Sequence, residues 1–440
     1  MKVGILTNIA ASSRGDVEPY VALAKGLKAR GHEVVLVCEH KYVGFVSEHG
    51  VECEGCVGPE LPSDKFPGAL RRLRRFIARN FLSQAEAVRS AFSDVDGVIS
   101  SESLFSFEVG QSLAESLGCS FLPAFYSPLG STSTFACPFL VPPIKNNRFA
   151  NRLSRRLAAR LVRRLTRPPL NVARRSILGL PEKDRSAPGV LGMIDAGLPV
   201  LYGFSPALLP KPNDWHESAH VVGYWMLHPN DGWQASRDLE RFVEDGDPPV
   251  AIALGRGNAF GIKRVGAGRY WSEVQQALAQ ADLRGVVITA GYPVPSGEGK
   301  TDRAFFVRSV PYSWLFSRTS AVVHHCGAGT TGAVLRSGVP SVAIPAAFDQ
   351  SFWAAQLEGA GLSTRALPMR RFSASRLARL LRQAVDEPRF AQSAKAIAAA
   401  MSSEDGVSEG ARLAEEYLQV GGVETRRSGK DVPKACLGDG

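Results

Sequence analysis

The stretch His324-His325-Cys326-Gly327-Ala328-Gly329-Thr330-Thr331-Gly332 limits most narrowly what this chain can fold into. A short apolar, partly β-branched run, Ala321-Val322-Val323, precedes it, and a helical pattern opens at Ala333 and is ended by Gly338 and Pro340. The spacing predicts a buried strand, a tight turn and a helix start. Backbone N–H groups at a helix N-terminus, with the positive end of the dipole, favour phosphate. Gly327 and Gly329 let a ligand approach the backbone, Thr330 and Thr331 add hydroxyl donors, and His325 offers one more donor to a diphosphate. Glycine also serves close helix–strand packing, so the turn alone does not decide. After a predicted strand at Ser341 to Pro345, Asp349-Gln350 opens the next helix, where side chains can reach sugar hydroxyls. Two consecutive strand ends of one parallel sheet then face a single crevice.

The amino terminus reads as a second α/β unit. Lys2 to Thr7 is a strand, Ala10 to Asp16 a small polar loop, Glu18 to Arg30 a helix ended by Gly31, and His32 to Val37 the next strand. This βαβ opening lacks GxGxxG, which disfavours ordinary dinucleotide binding. Asp16 has two readings, as an N-cap for the following helix or as a chemical group facing the crevice.

The chain resembles family 1 glycosyltransferases, in the branch that holds bacterial antibiotic and sterol glycosyltransferases. That branch carries an HHGGAGTT-like turn and a PxxxDQxxWA-like segment, matched here by His324 to Thr331 and by Pro345, Asp349, Gln350, Trp353 and Ala354. It also carries an RGDVxP-like loop and an RGHxV-like strand entry, matched by Arg14 to Pro19 and Arg30 to Val34. The resemblance implies the GT-B fold, two Rossmann-like parallel-sheet domains facing across a cleft, with the acceptor on the N-terminal domain and the nucleotide-sugar on the C-terminal one. It implies Asp16 as the base that deprotonates an acceptor hydroxyl, with Glu102 a candidate assistant. His325, Gly327, Gly329, Thr330 and Thr331 would hold the diphosphate, Asp349 and Gln350 the donor sugar. Val310 and Trp314, which would bind the nucleobase, lie in a VPHDWL-like stretch that flanks it in the family, with Tyr312 and Ser313 replacing the usual His and Asp. Arg256 stands where a small hydroxyl residue is usual near the phosphates, and has two readings, as a partner of the diphosphate or as a residue turned to solvent. Ala333 replaces a glutamate that grips ribose in the plant branch, so dTDP-sugars are as admissible as UDP-sugars. No cofactor is implied beyond the nucleotide-sugar co-substrate, and no metal: Asp245-Gly246-Asp247 reads as a solvated linker.

With 440 residues, 45% of them hydrophobic, the chain can bury two cores. The expected divisions are an acceptor domain at 1–205, a linker at 206–247, a nucleotide-sugar domain at 248–420 and a disordered tail at 421–440. No run of eighteen apolar residues exists and the N-terminus leads directly into a strand, so a cytoplasmic protein is expected. Seven scattered cysteines, with one CxxC at Cys53 and Cys56, imply neither zinc nor a disulfide framework.

The net charge of +10 has a local origin. Residues 65–85 hold six Lys/Arg and residues 145–180 hold eleven, with no acid in either; the remainder, 35 basic against 42 acidic residues, is −7. In the second segment Phe149, Leu153, Leu157, Leu161 and Leu165 recur every fourth residue among arginines, which predicts an amphipathic cationic helix. It reads as a helix packed by its apolar stripe on the N-terminal domain, as a peripheral membrane contact over 148–167, or as a guide for an acidic acceptor. Nucleic acid is disfavoured because no aromatic interleaving or recognised binding motif accompanies the charge. Phe66, Phe76, Phe125, Tyr126 and Phe135 are the aromatic candidates for an acceptor wall. Their number suits a bulky natural product, with a sterol or other lipid as the alternative. A nucleotide-sugar epimerase and a non-catalytic auxiliary protein are the competing functional classes. Oligomeric state is not readable from the sequence.

Overall fold

In the computed structural model, residues 1–9, 12–58, 69–138, 147–227, 233–254, 266–294 and 299–427 are described. The N-terminal half is a seven-stranded sheet in the order β3-β2-β1-β4-β5-β6-β7. Its strands are β1 (Lys2–Leu6), β2 (Glu33–Glu39), β3 (Glu52–Cys56), β4 (Gly97–Ser100), β5 (Ser120–Phe125), β6 (Val200–Tyr202) and β7 (Ala219–Val221), all paired in parallel. The second sheet runs β10-β11-β9-β8-β12-β13. It comprises β8 (Val250–Ala253), β9 (Gly285–Ile288), β10 (Gly299–Lys300), β11 (Ala304–Val307), β12 (Ala321–His324) and β13 (Ser341–Ala343), and only the two-residue β10 is antiparallel. The order of the strands along the chain reverses between β1 and β4 in one sheet and between β8 and β12 in the other. The loops leaving those strands therefore open onto a crevice at the carboxyl ends.

Both halves form as expected, but their boundaries differ. β7 lies within the stretch read as a linker and completes the N-terminal sheet. The Gly406–Arg427 helix, read in part as a tail, crosses back: Ala411, Ala414 and Leu418 join the N-terminal core with Leu23 and Leu122. A further core cluster is common to the two halves, bringing Phe125, Tyr202 and Phe204 together with Cys326, Trp353 and Leu357. Its aromatic contacts include Phe204–Trp353 at 5.5 Å and Phe135–Phe352 at 5.2 Å. Returning a helix and sharing a core let neither half end in an exposed apolar face.

Gly332, the last glycine of the motif, serves this seam. A Cβ there would meet the Tyr224 ring at 2.7 Å, and the glycine lies inside the Ala328–Ser337 helix. Gly332→Ala is expected to destabilise by about 1–3 kcal/mol, read as a lower urea midpoint with an unchanged slope.

The cationic helix forms at Arg148–Ser176, but its N-terminal half is turned the other way from the packed-stripe expectation. Asn151, Ser154 and Arg155 are buried, whereas Phe149, Leu153, Leu157 and Leu161 are exposed. Backbone carbonyls explain the rotation. The Arg155 guanidinium donates to Leu129 O (2.6 Å) and Pro128 O (3.3 Å) and lies over the Phe135 ring, and Arg167 donates to Ala187 O at 2.9 Å. Arg174 makes a two-pronged pair with Glu115, both contacts at 2.8 Å. Pinning buried loop carbonyls outweighs burying the leucines, because an unpaired buried carbonyl costs more than an exposed leucine loses. Among the described residues no helix is long and apolar enough to cross a membrane.

Candidate active site

A cleft of about 3670 Å³ runs between the halves. One wall carries the loop after β1. There a 3-10 turn, Arg14–Asp16, is closed by Asp16, whose Oδ2 accepts from Ser13 N (2.6 Å) and Ser13 Oγ (2.7 Å). Its Oδ1 accepts from Tyr126 Oη at 3.0 Å and lies 3.4 Å from Asn8 Nδ2. Asp16 thus holds the turn and also lines the cleft, so its two readings coexist in one side chain.

The opposite wall is the turn after β12. Gly327 caps the Ala328–Ser337 helix, whose first intrahelical bond runs from Thr331 N to Gly327 O, so the N–H groups of Ala328, Gly329 and Thr330 precede any helical partner. Cys326 sits at φ 64°, a left-handed conformation that a glycine would take without strain and that costs other residues about 1–2 kcal/mol. His325 packs so closely over Gly327 that a Cβ on the glycine would lie 2.5 Å from its Nε2. Burial pushes the His325 imidazole down to about 4 and that of His324 to about 3, so both are neutral before any ligand binds.

A hydrogen-bonded chain joins the walls. Glu102, after β4, accepts from the Tyr126 and Ser127 N–H groups at 2.9 and 2.8 Å, and the Ser127 hydroxyl lies 3.0 Å from Glu102 Oε1 and 2.9 Å from Asp349 Oδ2. Asp349 also accepts from Trp353 Nε1 at 2.9 Å. Desolvation foremost pushes its carboxyl up to about 6, and desolvation, then the charge of Asp349, pushes Glu102 well above the usual carboxylate range. Gln350 Oε1 accepts from Ala346 N (2.8 Å) and Ala347 N (3.1 Å), holding the loop that carries Asp349.

Of the residues singled out from the sequence, Asp16, Phe76, Tyr126, Val310, His325, Gly327, Gly329, Thr330, Asp349 and Gln350 line this cleft. Four do not. Phe125 is wholly buried, packed on Phe107 and Tyr202, because inward alternation at the end of β5 takes it into the core. Phe135 is buried between Phe352 and Trp215. Thr331 is wholly buried inside its helix. Trp314 faces Trp233 at 5.4 Å and Arg318, leaving Tyr312, stacked on Phe316, at the cleft. Phe66 and Arg256 lie outside the described residues. Sequence reasoning missed Ser127 and Phe348. Ser127 could have been found as the second residue past a strand end at the crevice. Phe348, at φ 53° and 60% exposed on the cleft wall beside Asp349, carries no sequence signal of its conformation.

The comparisons agree with this geometry. A family model described as "Erythromycin biosynthesis protein CIII-like, C-terminal domain" matches residues 298–416, and one described as "Glycosyltransferase family 28 N-terminal domain" matches residues 9–135. The O-mycaminosyltylonolide 6-deoxyallosyltransferase of Streptomyces fradiae is 34% identical over 437 residues, covering 96% of this chain and 98% of its own. A sterol 3-beta-glucosyltransferase of Pichia angusta is 31% identical, covering 91% of this chain but only 32% of its own length. Among solved structures, the glycosyltransferase of kitacinnamycin has a TM-score of 0.66 at 19% identity, covering 95% of this chain and 98% of its own. Glycosyltransferase VinC in complex with dTDP has a TM-score of 0.61 at 16% identity, covering 96% and 99%. With both walls of the cleft and both sheets accounted for, the chain belongs to the nucleotide-sugar-dependent glycosyltransferases of GT-B fold, in the branch of the antibiotic glycosyltransferases.

Proposed function

We propose that this enzyme transfers a hexose or deoxyhexose from a dTDP- or UDP-sugar to a hydroxyl of a bulky natural product, with inversion at the anomeric carbon. The observation that carries the reading is the chain Asp16–Tyr126–Glu102–Ser127–Asp349, which ties a base on one wall to a sugar-binding carboxylate on the other. The Asp16 carboxylate, on the cleft wall, takes the proton of the acceptor hydroxyl as its oxygen attacks the anomeric carbon. The bond from that carbon to the diphosphate breaks, and the N–H groups at the start of the Ala328–Ser337 helix, the Thr330 hydroxyl and His325 stabilise the departing charge. Asp349 and Gln350 hold the sugar hydroxyls. Direct attack from the face opposite the leaving group inverts the centre. The Streptomyces fradiae relative is named for a macrolide-derived acceptor and matches this chain end to end, whereas this chain spans about a third of the sterol enzyme, so we assign a natural-product acceptor ahead of a sterol.

Calorimetry with dTDP, UDP and their glucose conjugates tests the donor side. Saturable binding is expected, weakened about tenfold or more in His325→Ala, since one hydrogen bond to a charged ligand contributes about 1.5–3 kcal/mol. Binding unchanged by that substitution would move the diphosphate elsewhere. Release of a free altered sugar without acceptor would identify an epimerase instead.

A further inference from the structure

The exposed face of the Arg148–Ser176 helix is not used by the reaction described above. Phe149 (76% exposed), Leu153 (43%), Leu157 (56%) and Leu161 (60%) form one row spaced by four residues. Arg152, Arg156, Arg160 and Arg164 form a second exposed row, one residue behind it. Residues four apart stand above one another on a helix, so the rows run side by side for about 18 Å. The helix contains no acidic residue. Arg152 lies 3.5 Å from Asp214, but Arg156, Arg160 and Arg164 have no ion-pair partner among the described residues. The Ala69–Ala91 helix packs along it and adds exposed Leu73, Arg71, Arg74 and Arg75.

We propose that this face is a docking surface for an anionic lipid bilayer. An apolar row beside a row of one sign is the pattern of a helix lying in a membrane interface, with leucines entering the acyl boundary and arginine stems reaching back to phosphate headgroups. Charge selects this occupant over a second copy of the chain. Two such faces in contact would set arginine against arginine with no carboxylate between them. Leu153, Leu157, Arg160 and Arg163 also line the cleft. Docking therefore turns the cleft toward the bilayer, where an apolar acceptor concentrates; this last step alone rests on the acceptor assignment.

Flotation with vesicles tests the docking without reference to catalysis. The full chain is expected to rise with equimolar phosphatidylglycerol–phosphatidylcholine vesicles at about 50 mM salt, and to be released at about 500 mM salt. Vesicles of phosphatidylcholine alone should hold it about tenfold less or weaker still. Leu153→Gln/Leu157→Gln/Leu161→Gln should cut partitioning at least about tenfold, and Arg156→Gln/Arg160→Gln/Arg164→Gln should weaken binding at about 50 mM salt by at least about tenfold and flatten its salt dependence, since each arginine near an anionic surface contributes about 1 kcal/mol. All six side chains are exposed or at the cleft rim, so nucleotide binding by calorimetry should show that both variants remain folded. Failure to float with anionic vesicles, or flotation that survives both variants, overturns the proposal. So does a dimer in light scattering that the leucine variant dissolves, which would name a second copy as the occupant. An acidic protein that the face binds while the vesicles are ignored would overturn it as well.

Discussion

Asp16→Asn is expected to lower kcat by about 10²- to 10⁴-fold, the contribution of a positioned base, while nucleotide binding and thermal stability change little. The geometry separates the two duties of this side chain. Its Oδ2 holds the 3-10 turn through Ser13 N and Ser13 Oγ, and an asparagine oxygen accepts both bonds. Its Oδ1 faces Tyr126 Oη, which can rotate to accept from an asparagine NH₂. The fold therefore keeps its turn, and what disappears is an atom able to take a proton. The measurement is single-turnover transfer with a dTDP-sugar and a macrolide-type acceptor, set beside calorimetry and a melting curve on the same preparation. If kcat held within about threefold, Asp16 would be a turn-closing residue only, and the base would have to be sought elsewhere on that wall. Loss of stability comparable to the loss of a helix cap, about 1–2 kcal/mol, would instead show that asparagine does not hold the turn.

Much of this site could be read without coordinates because it is built from backbone. A strand, a glycine-rich turn and a helix start leave a periodic trace, so His325, Gly327, Gly329 and Thr330 were legible, as was Asp16 in the corresponding turn of the other half. The apolar β-branched runs located β1, β2, β8, β9 and β12 for the same reason. What failed were inferences from side-chain type about direction. Phe125 ends a strand and Phe135 lies in the loop that follows it, and nothing in their spacing distinguishes a cleft wall from a core. Trp314 lies off the cleft because one turn of helix decides whether it or Tyr312 faces it. The cationic helix failed more instructively. Its periodicity was correct, and the usual rule put the leucines inside, but Arg155 and Arg167 bind loop carbonyls and Arg174 a carboxylate of the Leu104–Leu117 helix. Partners at such separation leave no local pattern. The returning Gly406–Arg427 helix is also a long-range fact, visible only once its leucine and alanines meet Leu23 and Leu122.

The second large effect is expected at Asp349, where one substitution should move activity and stability in opposite directions. The Ser127 hydroxyl has one hydrogen and two carboxyl neighbours, Glu102 Oε1 at 3.0 Å and Asp349 Oδ2 at 2.9 Å. It can donate to only one of them, so the arrangement is satisfied when the chain holds a proton, with Glu102 donating to Ser127 and Ser127 to Asp349. Both carboxyls are raised, as two acids sharing a desolvated site must be. For Asp349 the folded value of about 6 exceeds the ordinary 3.8, so the folded protein binds more protons than the unfolded chain between those limits. The stabilisation is then complete below about pH 4 and lost as pH rises through 6. Full ionisation of so raised a group costs on the order of 3 kcal/mol, which solvent in the open cleft screens to about 1–2 kcal/mol. Asp349→Asn removes that cost. The variant should melt together with the parent near pH 4 and progressively above it from pH 5 to 7.5. Its kcat/KM should nevertheless fall about 10- to 100-fold, because a charged acceptor for sugar hydroxyls contributes about 1.5–3 kcal/mol that a neutral amide does not replace. Melting curves of both proteins across that pH range, without nucleotide, are the check. A stability difference that stays constant with pH would mean that Asp349 does not titrate in this range and is held as an ordinary carboxylate by Ser127 and Trp353.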